Sequence, residues 1–439
     1  MDSSLLTFGY MEAGPPALCA ITLPSKGLHY VLKSASLKAG SAFGQDTTAE
    51  AAERAFQGMS ANVAIPLFPI LRSVLVTKES LGIQTRKSIL YLDQHFFSSV
   101  YKGKDSRWGT AMQRITELLD LQLVAVPYSS THETETDFWK HRDDLLNFIQ
   151  RVARGHHFEP YYRVEKTQIL KAFQAYLANA PASYATEERD ALPSNVHDWD
   201  GDYSVSVSLP ESGVERKRRS KQRAIAELVD ALSSWATSKN TFEQDIELEL
   251  RDSAHILMES YRRKTARLYS GDFSALLDSP ISASIVEDMA YVLSVKEMQA
   301  DAARVIPSFF KSEHFAKVPS QQLSARLFST FKKRVREGAY PNPERAREKL
   351  RGFLFDVQHA ATYLPYCDAF FTDKFMADLL SDPLVGAQQT FGCKVFSVSK
   401  TAEFFSWLED VKSHMTADHA DGLTWAYPNY RSKATGTGL

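Results

Sequence analysis

The 439-residue sequence predicts an α/β protein with a parallel sheet, interrupted by a large and mostly helical insertion. Three observations predict this. From residue 88, short apolar runs alternate with amphipathic stretches in strand–helix order, a rhythm that calls for parallel strands joined by right-handed crossovers. The rhythm stops between residues 160 and 345, where long helical patterns follow one another. It resumes with apolar runs at 369–371 and 394–398, separated by a helical stretch.

Taken in order, residues 1–86 mix strand-like runs at 18–23 and 29–32 with a helical patch at 48–59, and form a region of mixed α/β character with no assignable role. Residues 87–160 hold the first half of the core: a strand ending at Asp93, a helix through Phe96 and 108–119, a strand at 121–126 and a helix at 131–152. The insertion, 161–345, carries helices at 222–238, 241–268, 285–303 and 321–337, with a polar link at 180–215 that contains a turn at 200–202 and an exposed strand after it. The second half, 346–415, supplies the end of a helix begun at 343 and running to 363, a strand at 369–371, a helix at 374–380, a strand at 394–398 and a helix at 401–414. Residues 416–439 read as a C-terminal tail.

Bulk composition narrows the function. With 51 basic and 53 acidic residues and a net charge of −2, the chain is no polycationic nucleic-acid binder, although a local basic groove stays open. Cys19, Cys367 and Cys393 are widely spaced and include no CxxC pair, so neither a disulfide framework nor a thiolate zinc site is expected, and a reducing cytoplasm fits. The most apolar run, 63–71, is short and broken by two prolines, so no membrane association is expected. Walker A, dinucleotide GxGxxG, nucleophile-elbow and HExxH patterns are absent.

Four acids carry the chemical expectation. Asp93 ends the run Ile89, Leu90, Tyr91, Leu92, which suits a strand buried on both faces; a carboxylate there needs either a metal ion or a helix to cap. In the string PYSSTHETE at 127–135, an N-cap at Ser130 would put Glu133 in a capping box and leave Glu135 free to face a site. His132, three residues before Glu135, reads as an exposed or capping residue, with contact to phosphate or water as the alternative. Asp356 interrupts an apolar helical face formed by Phe353, Leu354 and Ala360, and His359 one turn later reads first as a surface residue, then as a ligand or a group behind one. Asp373 closes the 369–371 strand and is preferred over Asp368, which suits a turn or cap, or a group behind the ligands. Next to it, Thr372 could hydrogen-bond a carboxylate or phosphate; Lys374 reads first as an exposed salt-bridging residue, with pairing to phosphate as the alternative.

Carboxylates brought from separate elements to one edge of a parallel sheet would repel each other unless cations separate them. Oxygen ligands favour Mg²⁺ or Mn²⁺, ions suited to activating water against a phosphodiester.

These residues resemble the PIN-like nuclease superfamily. The resemblance rests on Tyr91, Leu92 and Asp93 after a hydrophobic strand, the Ser-x-His-x-x-Glu string from Ser130 to Glu135, an Asp on a late helix, and Phe371, Thr372, Asp373 and Lys374 close behind it. It covers about 87–158 and 346–414 and implies a three-layer α/β/α core around a central parallel sheet. It further implies that Asp93, Glu135, Asp356 and Asp373 are both the catalytic set and the ligands of one or two Mg²⁺ or Mn²⁺ ions. The implied activity is metal-dependent endonucleolytic cleavage, RNA ahead of DNA, in a toxin-like or defence effector. The chain departs from the usual pattern in the long gap between Glu135 and Asp356 and in the adjacency of Thr372 and Asp373, where one residue ordinarily intervenes.

Basic clusters at 216–223 and 332–336, with Arg345, Arg347, Lys349 and Arg351 beyond, read first as solvated helix faces, with a track for a phosphate backbone as the alternative. Lys332, Lys333 and Arg334 are the preferred nucleic-acid contacts because Phe328, Phe331 and Tyr340 accompany them. Two other functions compete. One is a non-catalytic scaffold binding a protein or nucleic-acid partner through the helical insertion, and the other is a phosphatase for small phosphate esters. Homo-oligomerisation is left open.

Overall fold

The computed structural model describes residues 18–22, 29–33, 85–103, 105–136, 141–200, 204–208, 214–276 and 281–427. The helical patch expected at 48–59 and the final residues of the tail lie outside them, as do the side chains of 214–221, which include most of the first basic cluster.

Strands β1 (Leu18–Thr22) and β2 (His29–Lys33) precede β3 (Ser88–Leu92), which runs directly into α1 (Gln94–Lys102). There follow α2 (Ser106–Asp120), β4 (Val124–Ala125), α3 (Ser130–Thr136) and α4 (Arg142–Ala153). The helix expected over 131–152 is thus two helices. The strand expected at 121–126 is shorter, because Leu121 caps α2 and Gln122 takes a left-handed conformation (φ 58°) before the chain extends.

In the insertion, α5 (Tyr161–Leu177) is followed by β5 (Ser204–Ser208), α6 (Val214–Thr237), α7 (Phe242–Tyr269), α8 (Ile281–Val295), α9 (Ala302–Phe310), α10 (Glu313–Ala316) and α11 (Pro319–Arg336). The long α7 begins with a capping box in which Thr241 and Gln244 satisfy each other's amides. β5 pairs antiparallel with β1, which also pairs with β2, so a strand of the insertion completes a sheet begun near the N-terminus.

The chain then returns through α12 (Pro343–Lys349), α13 (Phe353–Tyr363), β6 (Ala369–Phe371), α14 (Lys374–Leu380), α15 (Ala387–Phe391), β7 (Lys394–Phe396), α16 (Thr401–Ser413) and α17 (Ala417–Ala426). The single helix expected over 343–363 is broken by Leu350 and Gly352, which cap α12 and α13 respectively. The expected tail is corrected in part: α17 is capped by Thr416, its His419 Nε2 donates to the Leu121 carbonyl at 2.7 Å, and the Tyr427 hydroxyl donates to the Asp200 carbonyl at 2.8 Å.

The described chain is mostly helical and contains a small four-stranded parallel sheet in the order β4-β3-β6-β7. Connections run outward from β3 to β4 on one side, while β6 and β7 lie on the other, so the switch point falls between β3 and β6. The pleat splits the apolar strand residues between two cores. Ile89, Tyr91 and Phe370 face a core that includes Phe331, Phe353, Val357 and Met376. Leu90, Leu92 and Phe371 face a second, with Phe96, Trp108, Ile149 and Trp407. Helices therefore cover the sheet on both faces, and α6 and α11 of the insertion belong to the first core through Leu228, Leu232, Leu327 and Phe331. A third core, including Phe173, Leu257, Met289 and Phe309, lies within the insertion. Among the described residues, no helix is long and apolar enough to cross a membrane.

A buried ion pair ties the start of β3 to the insertion. Lys87 Nζ donates to Asp200 at 2.5 Å with its side chain wholly buried, while Gln122 and His156 also hydrogen-bond the same carboxylate. Burial alone would raise the Asp200 pKa, but His156 and the Lys87 charge outweigh it and hold the carboxyl well below the usual range. Asp200 is thus a structural anchor. Lys87→Met should cost about 3–5 kcal/mol in urea unfolding, because it leaves a buried carboxylate short of its cation.

Candidate metal centre

At the switch point, the C-terminal ends of β3 and β6 open into a cleft of about 80 Å³ whose walls include Asp93, Glu135, Asp356 and Asp373. The two strands deliver their acids side by side. The Asp93 amide donates to the Phe371 carbonyl at 3.0 Å, and the Asp373 amide donates to Asp93 Oδ2 at 3.0 Å. Each of these aspartates also caps the helix it precedes: Asp93 Oδ1 accepts from the Phe96 amide at 3.0 Å and Asp373 Oδ1 from the Met376 amide at 2.7 Å. Capping and lining the cleft are compatible because a carboxylate offers two oxygens with several lone pairs.

Across the cleft, Glu135 on α3 meets Asp356 and His359 on α13. One ligand atom from each of the three lies within 4.8 Å of the other two. Asp356 and His359 share a helix face because they are three residues apart. Gly352 makes room for the first of them, since a Cβ at that position would stand 2.9 Å from Asp356 Oδ2.

The charges are held under tension. Burial pushes the Asp93 carboxyl up to about 6, against His95, the Phe96 amide and the Thr372 hydroxyl, which favour the anion; neighbouring Asp373 adds to the rise. A cation would relieve both desolvation and repulsion. Two uncharged groups point the same way: Gln94 Oε1 and Thr131 Oγ1 are buried without a hydrogen-bond partner, both residues line the cleft, and Thr131 is only 5% exposed. Such orphaned atoms are what a bound, partly hydrated ion satisfies.

Compared with known proteins, the chain matches no family model, no curated protein and no solved structure. The functional reading therefore stands on the geometry of the cleft.

Several sequence expectations need correction. His132 is neither exposed nor at the cleft surface: it is fully buried, its Nδ1 accepts from the Ser129 amide at 3.0 Å, and its Nε2 donates to the Leu92 carbonyl at 2.8 Å. It ties α3 to the end of β3 and stays out of the cleft wall. Ser130 lies within α3, and the amide of His132 bonds to the Ser129 carbonyl, so the proposed N-cap is one residue out of register. His359, read first as a surface residue, is 8% exposed and faces the two acids.

The preferred basic contacts are engaged elsewhere. Lys332 is buried in an ion pair with Glu249 and lies over the Trp235 ring, Lys333 is 3.8 Å from Glu337, and Arg334 pairs with Asp382 at 2.9 Å. The accompanying aromatics belong to the core, where Phe331 packs 4.4 Å from Phe353. Thr372 lines the cleft and hydrogen-bonds Asp93, whereas Lys374 is exposed at the start of α14. Gln94, His95 and Thr131 were not singled out from the sequence, although Gln94 and His95 directly follow the strand-ending aspartate.

Burial lowers the His132 pKa from 6.5 to about 4, more than its hydrogen bonds to Leu92 and Ser129 raise it. The unfolded chain therefore binds more protons between these values, and stability falls as pH drops through the window. Between pH 7 and pH 5 the wild type should lose about 2 kcal/mol more than His132→Asn, which cannot titrate, in parallel urea melts.

Proposed function

We propose that this protein is a metal-dependent endonuclease that hydrolyses phosphodiester bonds, RNA ahead of DNA, with Mg²⁺ or Mn²⁺ as cofactor. The observation that carries this reading is the convergence of Asp93, Glu135, Asp356 and Asp373 on one cleft at the switch point of the parallel sheet, where α/β folds place their ligands. The donor set fits a divalent cation: the carboxylates that follow β3 and β6 line the same cleft as those on α3 and α13, beside unsatisfied oxygens.

Each side chain has a role within this reading. Glu135 and Asp356 would hold a cation from the helices, and Asp93 and Asp373 would hold it from the strand ends. Thr372 orients the Asp93 carboxylate through its hydroxyl. These residues would thereby place a cation whose chemistry, when bound, would be to lower the pKa of a water and offset charge on the phosphodiester. His132, buried and neutral, keeps α3 in register with β3 and so fixes the position of Glu135.

A second feature supports a polymeric substrate. Arg345, Arg347 and Lys349 on α12, with Arg351 just beyond, are exposed, and among the described residues none forms an ion pair. This short basic helix leads through Gly352 into α13, the helix that carries Asp356. It replaces Lys332, Lys333 and Arg334 as the phosphate-binding element of the proposal.

Purified protein should cut single-stranded RNA with Mn²⁺ or Mg²⁺ and stop with EDTA, and Asp93→Asn should lower the rate more than about a hundredfold, beyond the loss typical of groups behind a ligand. Cutting that survives both treatments would overturn the mechanism. Arg345→Glu combined with Arg347→Glu should weaken binding to single-stranded RNA and reduce the salt slope by about 0.7 for each phosphate that is no longer neutralised, while leaving mononucleotide binding unchanged.

A further inference from the structure

We infer that His359 is itself a metal ligand, completing with Glu135 and Asp356 a nitrogen-containing subsite that selects a first-row transition dication such as Mn²⁺ over Mg²⁺. The inference rests on the hydrolytic reading only in taking the cleft to hold a cation, and it deepens that reading by naming the ion.

The argument begins with donor chemistry. Four carboxylates alone do not discriminate strongly between Mg²⁺ and Mn²⁺, since both are hard enough for oxygen ligands. An imidazole changes this, because nitrogen donors suit manganese, iron, cobalt, nickel, copper and zinc, whereas magnesium takes oxygen and keeps much of its water. His359 presents such a donor where it counts: its ring nitrogen and one oxygen each from Glu135 and Asp356 lie within 4.8 Å of one another. Ligand atoms about 2.2 Å from a shared ion stand no more than about 4.4 Å apart, so modest side-chain adjustment closes the set.

The surroundings favour ligation over a chance approach. His359 is 8% exposed and lines the cleft wall. Gly352 leaves the space in which the Asp356 carboxylate sits, and a Cβ there would close it. Thr131 Oγ1, one turn before Glu135 on α3, is buried, unpartnered and part of the same wall, a position from which it can bond to water held by the ion.

The test uses full-length protein stripped with EDTA and titrated with Mn²⁺, followed by electron paramagnetic resonance and competition with Mg²⁺. Bound Mn²⁺ in the wild type should show coupling to a directly coordinated ¹⁴N. That coupling should persist in His95→Gln and vanish in His359→Asp, which should also lose Mn²⁺ affinity at least about tenfold and bring the preference for Mn²⁺ over Mg²⁺ down with it. Gly352→Ala, compatible with its helical backbone (φ −99°), should weaken Mn²⁺ binding while keeping the nitrogen coupling. Mn²⁺ bound without nitrogen coupling, or a coupling lost in His95→Gln, overturns the inference while leaving the nuclease reading intact. Nitrogen-coupled Mn²⁺ in a protein that cuts neither RNA nor DNA overturns the nuclease reading alone, and failure of the wild type to take up Mn²⁺ overturns both.

Discussion

The parallel pairing of β3 with β6 is the constraint on which the rest depends. It sets Leu90 to Leu92 against Ala369 to Phe371 and brings the Asp373 amide onto the Asp93 carboxylate, although 280 residues separate them in the chain. Both strands are apolar on both faces, so neither can stand without a helical layer on each side. The insertion supplies part of one layer. Its helices α6 and α11 pack on the face that holds Tyr91, whose ring stacks 4.6 Å from Phe370 and 5.9 Å from Tyr363 on α13. The element that splits the two halves in sequence thus also presses them together in space.

The cleft shows the usual conflict between stability and chemistry. Asp93 and Asp373 stabilise α1 and α14 as caps, yet their proximity and burial push protons toward Asp93. Buried His132 is kept neutral by the same low-dielectric surroundings, although its pKa moves in the opposite direction because its charged form is the protonated one. Cys367 and Cys393, nearby in the first core, are free thiols that burial pushes well above their ordinary range, which leaves them inert as nucleophiles.

Much of the coarse fold was legible because its signals are local. The apolar runs ending at Asp93 and Phe371 are short, unbroken and bounded by polar residues, and the amphipathic stretches of α7, α11 and α16 repeat at helical spacing. What escaped depended on contacts between distant residues. Nothing near Lys332 announces Glu249, so an internally neutralised lysine looked like a free cation. His359 and His132 were weighed by their neighbours in sequence, whereas their surroundings are set by Glu135 and the Leu92 carbonyl. The spacing of three residues between Asp356 and His359 was the available signal, and it carried meaning only once a third donor faced it. The break at Gly352 was hidden because the flanking residues are good helix formers and the reason for a glycine lies in the Asp356 side chain.

The separation of Asp93 from Asp373 also has a consequence in time. At the usual 5–20 residues per second of translation, roughly 14–56 s pass between the emergence of these two positions, and β6 cannot pair with β3 before then. Until then a nascent chain carries only fragments of the cleft.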